Sequence, residues 1–258
     1  MLRRHFMKTA GWLALAPVAK ATASFAPARS GETKQIYEWR IYTLAKGNTS
    51  LDAFYRKTLI AAYNRLGITV GGFEPYKGAE QPAQRFFLFV YPDLNTWLNV
   101  KHALWQDEVF RAEAQPFYDA SAPEPAYSGL ETFLCEAFDG LPLLQTPPKE
   151  RTLLEFRNYK SPNEEANRRK INMFNADEMA IFDQVGIRSV CYGEVLAGPR
   201  MPSLIYLTAY RDEVSRNEAW KRFAEHPEWQ RIRALPEYAH TATDNRNLLL
   251  SPLSYSQL

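Results

Sequence analysis

The chain has 258 residues, with 31 Lys and Arg against 29 Asp and Glu. Charge this close to balance, with no basic block outside the first residues, excludes a phosphate-tracking surface, so no nucleic-acid partner is expected. An apolar content of 46% with 14% aromatics is enough for packed cores in one or two domains.

Residues 1–23 differ in kind from the rest. Arg3, Arg4 and Lys8 precede a short, weakly apolar run, and Ala21-Thr22-Ala23 supplies a small-x-small cleavage site. That order is a secretory leader, and the paired arginines look like its twin-arginine variant. The expectation is export, to the periplasm or outside the cell. Removing Arg3, Arg4, Lys8 and Lys20 from the 31 basic residues leaves 27 against 29 acidic, a net −2. No stretch after the leader is long and apolar enough to span a membrane.

The remainder is written twice. Tyr37-Glu38-Trp39-Arg40-Ile41-Tyr42 returns as Leu154-Glu155-Phe156-Arg157-Asn158-Tyr159, at an offset of 117. Leu66-Gly67-Ile68 returns as Val185-Gly186-Ile187, and Phe89-Val90-Tyr91 as Thr208-Ala209-Tyr210, both at 119. Trp105-Gln106 is matched to Trp229-Gln230 at 124. Landmarks in one order at a nearly constant offset mark a tandem duplication. The reading gives a first domain over 34–139, a proline-rich linker over 140–150 and a second domain over 151–258.

In chain order, Ile36 to Leu44 alternates as a strand does. Asn48, Thr49 and Ser50 offer capping side chains to a helix whose apolar residues recur at threes and fours from Leu51 to Leu66, ended by Gly67. Strands follow at 68–76 and 85–91. Asp93 caps a further helix, a short one runs near 107–114, and a strand spans 127–138. The second copy repeats the plan with a strand at 151–159, a long helix to Val185, strands at 187–196 and 203–210, a helix opened by Pro227 and a strand at 247–253.

Each copy is thus an α+β, ferredoxin-like βαββαβ unit with both helices on one sheet face. The other face is left apolar and must be covered. Two tandem units can pack sheet to sheet into a barrel-like pseudo-dimer within one chain; a barrel shared between chains, a homo-oligomer, is the alternative.

The strand pattern Tyr37, Glu38, Arg40, Tyr42, the Leu-Gly-Ile helix exit, the stretch Pro227 to Gln230 and the ending Leu-Leu then Tyr255-Ser256 resemble the NIPSNAP family. The second copy has Leu154 at the leading tyrosine. The resemblance implies a dimeric α/β-barrel fold. The wider superfamily it belongs to includes haem-degrading and cofactor-free monooxygenases, haem proteins and members with no known reaction.

Among candidate site residues, Glu38, Arg40 and Tyr42 share one strand face, as do Glu155, Arg157 and Tyr159. They could line a pocket between sheet and helices or a barrel seam, with arginine forks for an anionic group. The alternative is a self-satisfied Glu–Arg ladder that fixes register. Truncating either arginine to alanine is expected to weaken binding more than stability.

His102 and His226 stand in roughly corresponding helical regions, where an imidazole could serve a haem as axial ligand or proton carrier; packing or surface roles are the alternative. No metal is expected, because Cys135, Cys191 and the histidines show no zinc-site spacing. The cysteines fall at non-matching places and are expected as two separate buried thiols, with a bridge left open. No nucleophile elbow, phosphate loop or dinucleotide fingerprint occurs.

The leading reading is a binder of a small, largely apolar molecule, without a cofactor. The runner-up is a cofactor-free monooxygenase or haem-handling oxidoreductase, and the third is a structural protein without ligand.

Overall fold

The computed structural model describes residues 33–45, 49–78, 82–119 and 125–258. The leader expected at 1–23 and the expected capping residue Asn48 lie outside them. The first unit comprises β1 (Ile36–Leu44), α1 (Ser50–Phe54), a π-helical turn (Tyr55–Leu59), α2 (Ile60–Arg65), β2 (Thr69–Pro75), β3 (Gln84–Tyr91), α3 (Leu94–Gln106), α4 (Glu108–Tyr118) and β4 (Tyr127–Ala137). The second comprises β5 (Leu153–Lys160), α5 (Glu164–Met173), a π-helical turn (Phe174–Glu178), α6 (Met179–Val185), β6 (Arg188–Ala197), β7 (Ser203–Tyr210), α7 (Glu213–Glu225), α8 (Pro227–Arg233) and β8 (Asp244–Pro252). The duplication thus extends to irregular detail, since both long helices carry a π-turn at the same place.

The eight strands close into one antiparallel barrel in the order β1-β3-β2-β8-β5-β7-β6-β4. Within each unit the order is that of a ferredoxin-like sheet. Each unit's second strand pairs with the other unit's last: β2 with β8, and β6 with β4. Closure happens within one chain, as the intrachain alternative requires, and it leaves no open sheet edge.

Alternation along the strands then decides two environments. Tyr37, Trp39, Ile41, Phe86, Leu88, Phe156 and Leu207 point into the barrel and form an all-apolar core. There the Trp39 and Phe156 rings meet edge to face at 5.0 Å. Cys135 and Cys191 are free thiols buried in this interior. Burial pushes Cys191 up to about 12, so it stays protonated. The opposite faces of β1, β3, β5 and β7 pack under the helices in two further cores, one per unit.

Several local expectations need adjustment. Thr49 occupies the cap position of α1, but its side chain makes no capping bond. Asp93, Asp107, Asn163 and Asp212 do cap, each accepting a backbone N–H of the first turn. Helix α7 has no counterpart in the chain-order reading above; Asp212 and Ser215 form a reciprocal capping box that announces it. Gly67 and Gly186 both take positive φ, 76° and 85°, the left-handed stop for which glycine suits best.

The last residues fasten the two units together. Leu253 N–H donates to Gly72 O and Gln257 N–H to Val70 O, so the tail runs along β2. A Cβ at Gly71 would sit 2.9 Å from the buried Phe73 ring and 2.7 Å from a methyl of Leu258, so a side chain there would force this packing to shift. The Tyr255 hydroxyl donates to Asp52 at 2.6 Å, and Arg85 holds the same carboxylate through Nε at 3.0 Å. Tyr255→Phe is therefore expected to cost about 1.5 kcal/mol, the low end for a hydrogen bond to a charged group, lowering Tm by about 3–6 °C in thermal unfolding. An unchanged Tm would remove the clasp from the account.

Candidate functional site

The first unit's site begins with the outward alternation of β1. Glu38 is buried and receives three bonds: from Arg40 Nε at 2.6 Å, the Tyr91 hydroxyl at 2.8 Å and Trp97 Nε1 at 3.2 Å. Burial would raise its carboxyl, but the Arg40 charge and these donors outweigh that and hold it below its ordinary value. The Arg40 guanidinium lies 4.1 Å above the Phe89 ring and donates to the Tyr63 hydroxyl at 3.0 Å. The Tyr55 hydroxyl donates to that of Tyr42 at 3.1 Å. Burial pushes Tyr42, Tyr55 and Tyr91 up, which keeps these phenols protonated.

Above this floor opens a cavity of about 500 Å³ between sheet and helices, lined by all three β1 residues Glu38, Arg40 and Tyr42. Its walls are apolar and aromatic: Leu51, Leu59 and Phe54 from the first helical run, Trp97 and Leu104 from α3, Phe117 from α4. Leu98, Trp105, Tyr118 and Leu130 stand at its mouth, each more than two-fifths exposed. Size and lining fit a small-molecule pocket. Among the described residues, Lys101 is the one cationic side chain on its wall besides Arg40.

The second unit builds the same floor and then covers it. Glu155 accepts from Arg157 Nε at 3.0 Å, from both Nε and NH2 of Arg216, and from Trp220 Nε1 at 2.9 Å. Arg157 donates to Tyr159 at 2.6 Å, and the Trp220 ring stacks 3.9 Å from the Arg157 guanidinium. Beside them Lys170 and Glu178 form a buried ion pair at 2.8 Å, with the ammonium 4.7 Å from the Phe174 ring.

The π-turns and the terminal glycines register the units at an offset of 119, so Lys170 and Glu178 stand where the first unit has the cavity residues Leu51 and Leu59. The hydroxyl on the strand tyrosine also changes its carrier. Tyr55 of the helical run supplies it in the first unit, Tyr206 of β7 in the second, at 2.8 Å from Tyr159.

Residues 154–257 match the NIPSNAP family model. The chain carries a NIPSNAP domain. A NIPSNAP-like domain protein from Burkholderia xenovorans is 24% identical over 42% of this chain and 91% of its own, with a TM-score of 0.37. Across both units the chain resembles a candidate monooxygenase from Fusobacterium nucleatum, at 8% identity over 86% of this chain and 93% of that one, TM-score 0.55. A candidate monooxygenase from Lactobacillus acidophilus is 10% identical over 85% of this chain and 94% of its own, TM-score 0.52. At such identities the likeness is one of fold. No curated protein is similar to the chain.

The NIPSNAP domain and the unit before it thus differ in what lies over one shared floor. Glu38, Arg40 and Tyr42 come together at a cavity; Glu155, Arg157 and Tyr159 come together under Arg216 and Trp220. The histidines join neither set. His102 is exposed on α3, and His226 opens α8, its Nε2 3.2 Å from Gln184 Oε1.

Nor are they equivalent. The caps Asp93 and Asp212 keep the offset at 119 through α3 and α7, which sets His226 opposite Asp107, the cap of α4. The match of Trp105 to Trp229 at 124 fails for the same reason. The helical residues that complete each site, Tyr55, Tyr63, Lys170, Glu178 and Arg216, read in sequence as ordinary amphipathic positions. An overlay at the offset of 119 would have exposed the Leu51–Lys170 and Leu59–Glu178 exchanges.

Proposed function

We propose that the first unit's cavity binds a small, largely apolar molecule and that the second unit's equivalent site is closed by its own side chains. The observation that carries this is the cavity of about 500 Å³ directly over Arg40. Its floor suits orientation better than proton transfer. Glu38 is ionised and already occupied by three donors, while the buried phenols are held protonated. A general base needs a pKa near the working pH, and neither kind of group meets that condition. The phenols and guanidinium can instead present donors to a hydroxyl or carbonyl of the ligand.

Haem does not fit this donor set. Among the described residues neither His102 nor His226 borders the cavity and no cysteine or methionine lines it, while burial holds Tyr42, Tyr55 and Tyr91 against the phenolate form that a tyrosine ligand needs. The leader expected from the sequence of residues 1–23 leads us to propose that this binding takes place outside the cytoplasm. Oxygenation of the kind suggested by the names of the fold relatives is left as an outcome of the test.

That test titrates the full chain with the fluorescent probe 8-anilino-1-naphthalenesulfonate, alongside a Leu59→Phe variant that narrows the cavity. Binding at least tenfold weaker in the variant, with Tm unchanged, is expected. Equal affinity in the two proteins would put the probe elsewhere and overturn the assignment. Oxygen uptake with a bound phenol would add turnover to binding.

A further inference from the structure

The second unit indicates what the first unit's cavity takes. Helices α3 and α7 are both 13 residues long and begin after the caps Asp93 and Asp212. Counted from those caps, Lys101 and Trp220 occupy the same position, as do Trp97 and Arg216. In the second unit Trp220 reaches from α7 to the floor, lays its indole 3.9 Å from the Arg157 guanidinium and donates Nε1 to Glu155 at 2.9 Å. In the first unit Lys101 and Arg40 both line the cavity. Arg40 is backed on its sheet side by Phe89 at 4.1 Å and is about one-fifth exposed.

Building on the binding role proposed above, we infer that the first unit's cavity is selective for a planar aromatic ring system that stacks on Arg40 as Trp220 stacks on Arg157. A guanidinium flanked by Phe89 on one face offers the other to a second π-system. Trp97 already donates to Glu38 at 3.2 Å. The ligand therefore need not supply that hydrogen bond, and its polar group is directed to the hydroxyls of Tyr42 and Tyr55. The walls favour the same class: Phe54 and Phe117, stacked on each other at 4.1 Å, and Tyr118 beside them give the cavity an aromatic wall. Lys101, standing where Trp220 does, gives an acidic substituent a partner near the mouth.

The test compares 2-naphthol with its saturated analogue decahydro-2-naphthol by calorimetric titration of the full chain, in the native protein and in a Lys101→Trp variant. The two probes share a skeleton and a hydroxyl and differ in planarity and π-electrons. Expected is at least tenfold tighter binding of 2-naphthol, lost in the variant, whose indole closes the cavity as Trp220 does. Circular dichroism and Tm report whether the variant is folded, and Lys101→Met, which removes the charge without filling the cavity, should retain 2-naphthol. Equal affinities for the two probes would overturn the stacking inference and leave the apolar binding role intact. Binding of neither probe would overturn both. Retention of 2-naphthol by a folded Lys101→Trp variant would place the ring away from Arg40 and overturn the inference.

Discussion

Replacing Arg40 with alanine will destabilise the protein by about 3–5 kcal/mol at neutral pH, the usual consequence of removing one partner of a buried ion pair. Glu38 would keep its donors Tyr91 and Trp97 but lose its counter-charge in a buried setting. The effect carries a pH signature. In the native protein the Glu38 carboxyl lies below its unfolded value of about 4.3, so its contribution is present above that pH and is lost as pH falls through the folded value. Without Arg40, burial dominates and the folded value rises above the unfolded one. The variant's penalty is then greatest at neutral pH and shrinks as the carboxyl protonates.

Urea unfolding at pH 7 and pH 4.5 should therefore show the gap between native and variant narrowing on acidification. A gap under 1 kcal/mol, or one independent of pH, would contradict the role given to this pair. Arg157→Ala is expected to cost less, because Arg216 remains on Glu155. The expectation that alanine at Arg40 would damage binding more than stability is thus replaced: Arg40 is counter-ion and ligand contact together, and substitutions on the cavity wall separate the two.

The second large effect lies in the covered site. Glu178→Leu should destabilise by about 3–5 kcal/mol, because Lys170 would remain as a buried ammonium without its carboxylate. The double variant Lys170→Leu/Glu178→Leu should recover most of that loss or exceed native stability, since exchanging a buried pair for apolar residues ranges from neutral to about 1–4 kcal/mol favourable. The first unit already carries leucines at these two positions, beside an equivalent π-turn. A double-mutant cycle in urea measures the coupling directly. A double variant as unstable as the single would mean that the pair supplies more than mutual neutralisation.

Much of the architecture was legible in the sequence because it rests on periodicities that local chemistry enforces. The alternation of Glu38, Arg40 and Tyr42 against Tyr37, Trp39 and Ile41 separates the helix-facing surface from the barrel interior. The repeat supplied two sheets with one apolar face each, and closure through β2–β8 and β4–β6 follows from covering those faces. What escaped was what depends on partners distant in the chain. Lys170 and Glu178 look like solvated helix residues until they meet beneath α8, with Trp229 5.6 Å from the ammonium. Trp220 looks like core until its equivalence to Lys101 emerges from the two caps. The histidine pairing failed because a single tryptophan match outweighed the caps, which hold helix register more strictly.

Of the two equivalent sites, one per unit, the first is open and the second closed, and binding stoichiometry tests that most directly. Titrating the full chain with 2-naphthol should give one site per chain, abolished by Leu51→Lys/Leu59→Glu, which brings the second unit's ion pair into the first. Two equivalent sites per chain, or a single site indifferent to that double substitution in a folded protein, would contradict it.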